Sequence, residues 1–168
     1  MTTKFSEWLN DRTQKIGGAK GLSRAMSEHC PQHIAAWSMG LQSPGYRAQL
    51  EISEIIGEPL SVVRSYLNRP STEFSELLAR KILAHGDFTN FCLESGIGKP
   101  RFDKWVNEGK LPGNAKLGAQ SKDLRMLCIA LSLWGDETPP RELMAELVLA
   151  AERTIAAGTV AKELQDNL

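Results

Sequence analysis

An internal repeat limits what this chain can fold into more than any other feature. Phe5-Ser6-Glu7-Trp8-Leu9 is answered by Phe74-Ser75-Glu76-Leu77-Leu78 at an offset of 69. Gly18 is answered by Gly86, Trp37 by Trp105 and Pro44-Gly45 by Pro112-Gly113, all at an offset of 68. Several ordered matches at nearly one offset mark a duplicated unit. A length of 168 residues accommodates two units of about 70–80 residues each. The residues between the matches diverge strongly, so the two copies need not do the same job.

The pattern within each copy is helical. β-branched residues are scattered and no stretch alternates apolar and polar for long, so strands are not expected. Phe5, Leu9 and Ile16 mark a first helix, capped by Thr3 or Thr2 and stopped by Gly17-Gly18. Leu50, Ile52, Ile55 and Ile56 mark another, ending at Gly57 with Pro59 beyond it. Phe74, Leu77, Leu78, Ile82 and Leu83 give an amphipathic face that stops at His85-Gly86, with Thr72 as its cap. Leu124, Leu127, Cys128, Leu131 and Leu133 predict a buried helix ending at Gly135. Arg141 to Ala157 predict the longest helix, from Pro139-Pro140 to Gly158. Asn68-Arg69-Pro70-Ser71-Thr72 is the linker. The expected organisation is all-α: a first domain over 1–68, a second with a C-terminal helix over 73–158, and a tail over 159–168.

Short helices on either side of a tight turn occur once in each copy. In the first, Leu22, Ala25 and Met26 would brace a second helix that Pro31 opens, with Ile34 and Trp37 facing the core. In the second, Phe91 and Leu93 would brace a helix that follows Gly96-Ile97-Gly98, with Phe102 and Trp105 inward. Leu22-Ser23-Arg24-Ala25-Met26, Ile34-Ala35-Ala36-Trp37-Ser38-Met39-Gly40, Pro44 and the stretch from Leu50 to Gly57 with Leu60 together resemble the lambda repressor and Cro class of helix-turn-helix domain. The resemblance covers about residues 5–67, with a fainter echo over about 74–148. It implies two tandem helix-turn-helix bundles that read operator DNA. The turn Ser27-Glu28-His29-Cys30 is one residue longer than the common pattern and lacks its glycine.

On that resemblance, Arg101 is the candidate for a two-pronged contact to guanine, and Lys99 and Lys104 for phosphate contacts. Gln32 and His33 would face outward from the first recognition helix. Arg24, Arg47 and Lys20 would touch phosphate there, as Lys110 and Lys116 would in the second copy, beside Asn107 and Asn114. The partners expected are double-stranded DNA and a second copy of the chain. For pairing, Leu143, Leu147 and Ala150-Ala151 of the last helix offer an apolar stripe. A protein-interaction adaptor or an antitoxin of the same fold, with little DNA binding, is the alternative.

Charge neither adds to nor removes from this. Lys plus Arg number 20 and Asp plus Glu number 20. Residues 126–168, with three basic and seven acidic side chains, offset two mildly basic segments at 1–70 and 86–125. Other chemistries find little support. Cys30, Cys92 and Cys128 are odd in number and unpaired in spacing, which predicts no disulfide framework and a cytoplasmic address. His29-Cys30 and His33 lack a second ligand cluster, so neither metal nor cofactor is expected. Gly96-Ile97-Gly98-Lys99-Pro100 lacks the spacing and the hydroxyl of a phosphate loop, and no nucleophile–base set stands out, so no enzyme or small-molecule substrate is expected. No apolar run reaches the length of a membrane span, and Met1 to Leu9 do not form an export signal.

Overall fold

Thr3 and Thr72 start the two halves of the chain with the same local device. Each threonine hydroxyl accepts a hydrogen bond from the backbone N–H three residues on, at 3.1 Å. Ser6 and Ser75 return the favour to the threonine N–H groups at 2.8 and 2.9 Å. These reciprocal boxes satisfy donors that a helix start leaves open. The computed structural model describes residues 3–168, so the alternative cap Thr2 lies outside the described residues.

Among the described residues the fold is all-α, and it divides into two compact units, Met1–Pro70 and Ser71–Leu168. Unit 1 comprises α1 (Lys4–Thr13), a 3-10 turn, α2 (Gly18–Ala25), α3 (Pro31–Ser38), α4 (Tyr46–Ile56) and α5 (Leu60–Tyr66). Unit 2 comprises α6 (Glu73–Leu83), α7 (Phe88–Ser95), α8 (Lys99–Val106), a 3-10 segment (Ala115–Gln120), α9 (Lys122–Trp134) and α10 (Pro140–Asp166). In unit 1, α1 packs on α2, α3 and α5, α2 packs on α3 and α4, and α4 packs on α5. Unit 2 has the same set of pairs, α6 to α10 replacing α1 to α5 in order, and adds α6 on α9. The repeat therefore runs through all five helices of each copy.

Core positions correspond as well. Phe5, Leu9, Leu22, Ile34, Trp37, Ile52 and Val63 are buried in unit 1. Phe74, Leu78, Phe91, Phe102, Trp105, Leu124, Leu127, Leu131, Leu143 and Leu147 are buried in unit 2. Each large aliphatic or aromatic side chain of this kind contributes about 1.5–3 kcal/mol.

Several expectations need correction. Ala25 is exposed; Leu22, with Ala19 partly covered beside it, faces inward from α2, and Met26 is buried at its C-cap. Leu93 is 76% exposed, since Phe91 and Cys92 take the inner face of the short α7. Leu133 is 84% exposed, about 200° around the helix from Leu131. Trp134 turns inward instead, and its indole N–H donates to the Ile82 carbonyl at 2.9 Å. Gly158 does not end the last helix, and residues 159–166 are helix rather than a tail. Leu143, Leu147, Ala150 and Ala151 are buried within unit 2, so they are not an open stripe for pairing. Midway along α10, Arg153 pairs with Glu73 at 2.9 Å, and the Thr154 hydroxyl accepts from the Phe74 N–H at 3.1 Å.

Two polar knots sit against these cores. Arg64 is fully buried, and its guanidinium donates to Gln49 Oε1 at 2.8 Å and twice to the Pro70 carbonyl. It also lies 4.5 Å over the Tyr46 ring. In unit 2, Lys81 Nζ lies 3.1 Å from Asp136 and 2.8 Å from Glu146. Burial by itself lowers the Lys81 pKa, but hydrogen bonds to Glu146 and Asp136 outweigh it and hold it above the ordinary value. Burial likewise raises Asp136, but hydrogen bonds from Thr138 and Lys81 bring it below the ordinary value.

Candidate nucleic-acid interface

The third helix of each unit is built to present one polar face. In unit 2, α7 starts at Asp87, whose carboxylate accepts from the Asn90 N–H at 2.8 Å. It ends at Gly96, where φ of 70° favours a residue without a Cβ. Ile97 buries its side chain, so the turn Gly96-Ile97-Gly98 is anchored by its middle residue. Gly98 begins α8, with Pro100 in the first turn. Phe102 packs 5.2 Å from Phe88 and 6.0 Å from Phe91, ring centre to ring centre. Phe102, Trp105 and Val106 thus fix the rotation of α8, leaving Lys99, Pro100, Arg101 and Lys104 exposed.

Local pairing sorts the charges around this face. Lys110 pairs with Glu108 at 2.9 Å, and Asp103 accepts from the Asn107 amide at 3.2 Å. Arg101 pairs with Asp123 through Nη2 and lies 5.3 Å over the Trp105 ring. Among the described residues, Lys99, Lys104 and Lys116 have no carboxylate within ion-pairing distance, and all are exposed. The same is true of Lys122 and Arg125 in the first turns of α9, though Arg125 Nε donates to the Ala119 carbonyl at 2.8 Å.

Lys122, Asp123 and Arg125 were not singled out in the sequence. The signal was Ser121, which caps α9 by accepting from the Leu124 N–H at 3.3 Å and so starts the helix two residues before its apolar pattern.

Unit 1 presents a mixed face. Gln32 and His33 are exposed in the first turn of α3, and Arg24 and Lys20 are exposed on α2. Arg47 is half-buried and lies 3.9 Å from Glu28. Glu51 accepts from the Ser27 N–H at 3.2 Å, so two carboxylates hold or flank the turn between α2 and α3. That turn runs over residues 26–30, against 96–98 in unit 2. His29 packs edge-on against Trp37 at 5.3 Å.

The two faces differ in what they can bind. The α8 face can neutralise an extended anion and still offer a forked donor, whereas the α3 face carries the Gln32 amide and the His33 imidazole beside carboxylates. Among the described residues no three His, Cys, Asp or Glu side chains gather as metal ligands, and no helix is long and apolar enough to cross a membrane. The three cysteines are free, Cys30 exposed and Cys92 and Cys128 buried. Comparison with family models, curated proteins and solved structures finds no match for the chain.

Proposed function

We propose that the chain is a sequence-specific double-stranded DNA-binding protein that regulates transcription in the cytoplasm, with α7 and α8 as its principal helix-turn-helix. The observation that carries this is α8 itself: a helix braced by α7 across a three-residue turn, with uncompensated cations on its exposed face. A helix so held fits the major groove, where Arg101 meets base edges and Lys99, Lys104, Lys116 and Lys122 meet phosphates. The α2–α3 pair is the divergent copy, with Gln32 and His33 in the corresponding position and Arg24 and Arg47 beside them. No catalytic step belongs to this activity. A second copy of the chain is the expected partner, because two α8 helices then address two half-sites.

The decisive experiment is selection from a randomised DNA library at two salt concentrations. The expected result is an enriched motif whose affinity falls steeply with salt. Absence of enrichment at the lower salt would overturn the proposal.

The second reading, a protein-interaction adaptor or antitoxin, draws on Leu93, Ile129 and Leu133 of α7 and α9, which are 76%, 62% and 84% exposed and which DNA binding does not use. It becomes the favoured one if the library yields no motif.

A further inference from the structure

Arg101 is not a loose surface arginine. Its Nη2 donates to Asp123 Oδ1, and its guanidinium lies 5.3 Å over the Trp105 ring. The other carboxylate oxygen of Asp123 accepts from the Gly113 N–H at 3.0 Å. Gly113 is fixed in turn, since its carbonyl accepts from the Ser121 hydroxyl at 3.0 Å. The carboxylate is therefore held at both oxygens, by the side chain of α8 and by the backbone of the loop before α9.

The glycine at 113 leaves room for the carboxylate in this position. A Cβ there would stand 2.9 Å from Asp123 Oδ2, too close unless the carboxylate moves. One side-chain bond engages one of the five N–H donors of Arg101, and the remaining four stay uncommitted.

We propose that Asp123 and Gly113 form a positioning clamp that presents the Arg101 guanidinium to guanine in the major groove, making this one arginine the specificity determinant of unit 2. The inference rests on the DNA-binding reading above and deepens it. Bidentate contact to guanine O6 and N7 needs the guanidinium plane at a set angle to the base. A free arginine must give up rotamer freedom to reach that angle, and an arginine backed by a carboxylate and an aromatic ring has given up most of it beforehand. Pairing with Asp123 also cancels the charge of Arg101 at long range, so the clamp favours reading over indiscriminate attraction to phosphate.

Unit 1 lacks the device. Its counterpart glycine, Gly45, has open space where a Cβ would stand. The second residue of α4 is Arg47, where α9 has Asp123, and the position matching Arg101 holds His33.

The test compares base preference, position by position, for the full-length wild type and for Arg101→Ala, Asp123→Asn and Gly113→Ala, with salt dependence measured for each. Wild type is expected to select guanine at one base pair per half-site, and Arg101→Ala to lose that preference. Asp123→Asn and Gly113→Ala are each expected to weaken it about tenfold with preferences elsewhere retained; Gly113→Ala keeps the salt slope, and Asp123→Asn, which frees the Arg101 charge, steepens it. Asp123→Asn added to Arg101→Ala should change that position no further. A wild-type motif that Arg101→Ala alters while both clamp variants leave it intact overturns the clamp and spares the DNA-binding reading. A wild type with no motif overturns both. Gly113→Ala keeps every side chain of the clamp, so it decides the matter even where Asp123→Asn melts early.

Discussion

Replacing Arg64 by Met removes the guanidinium and leaves the Gln49 amide oxygen and the Pro70 carbonyl without their donors. The expected loss is about 2–4 kcal/mol in the unfolding free energy of unit 1, measured by denaturant titration. A stability near wild type would show that the methionine side chain packs well enough to offset the lost bonds. The Lys81 knot gives a pH signature instead. The Asp136 pKa is lowered on folding, so its contribution is present above about pH 4 and is lost as pH falls through the folded value. The Lys81 pKa is raised, so its contribution holds below about pH 10.4 and is lost as pH rises beyond it. Unit 2 should therefore lose melting temperature on both limbs, and Asp136→Asn should flatten the acid limb while lowering the plateau. Neither knot was legible in the sequence. Arg64 there is one charge between Val63 and Ser65, and only the approach of Gln49 and Pro70 shows that it is buried.

At the scale of elements, the cations of α8 divide into two kinds with different readouts. Lys99→Ala and Lys104→Ala remove charges with no carboxylate partner, so each should weaken binding across all DNA sequences and reduce the salt slope by about one. Lys110→Ala removes a cation already paired with Glu108 and should change the slope less. Equal effects at the three positions would argue against α8 as the helix that lies along the groove. Helices were the readable level of this chain. The capping threonines, Pro31, and the pairs Ile34 with Trp37 and Phe102 with Trp105 could all be placed from spacing alone. Short helices were read less well, because over eight residues a shift of one position exchanges inside for outside. Leu93 and Ala25 failed in this way. Asp123 was missed for another reason: its role exists only where α9 meets the Gly113 loop.

For the whole molecule, the repeat was visible as far as Pro44 and Pro112 and then lost register. From there the offset of 68 grows to 76 between the first residues of α4 and α9, and to 78 between Gly57 and Gly135. It reaches 80 between Pro59 and Pro139, which start α5 and α10. The six-residue 3-10 segment Ala115–Gln120 accounts for most of the slip from 68 to 76, and no single-offset comparison can cross it. The expected second copy is also a matter for the whole molecule. Because the inner stripe of α10 is buried, the proposed pairing would fall to Val160 and Leu164, 55% and 64% exposed. Wild type should sediment as a dimer, and Val160→Glu with Leu164→Glu as a monomer with an unchanged thermal melt. A monomeric wild type would remove the second copy from the proposal.

Beyond Thr154, α10 continues through Asp166 on exposed residues alone. Ile155 is 38% exposed and so mostly covered, whereas Val160 and Leu164 are more than half exposed. From Val160 onward the side chains can be exchanged, or the length altered by whole turns, at little cost to the packing of unit 2. On the proposed function, choice of company would lie on one stretch and choice of base on another, so a lineage could rewrite either while leaving the other as it was.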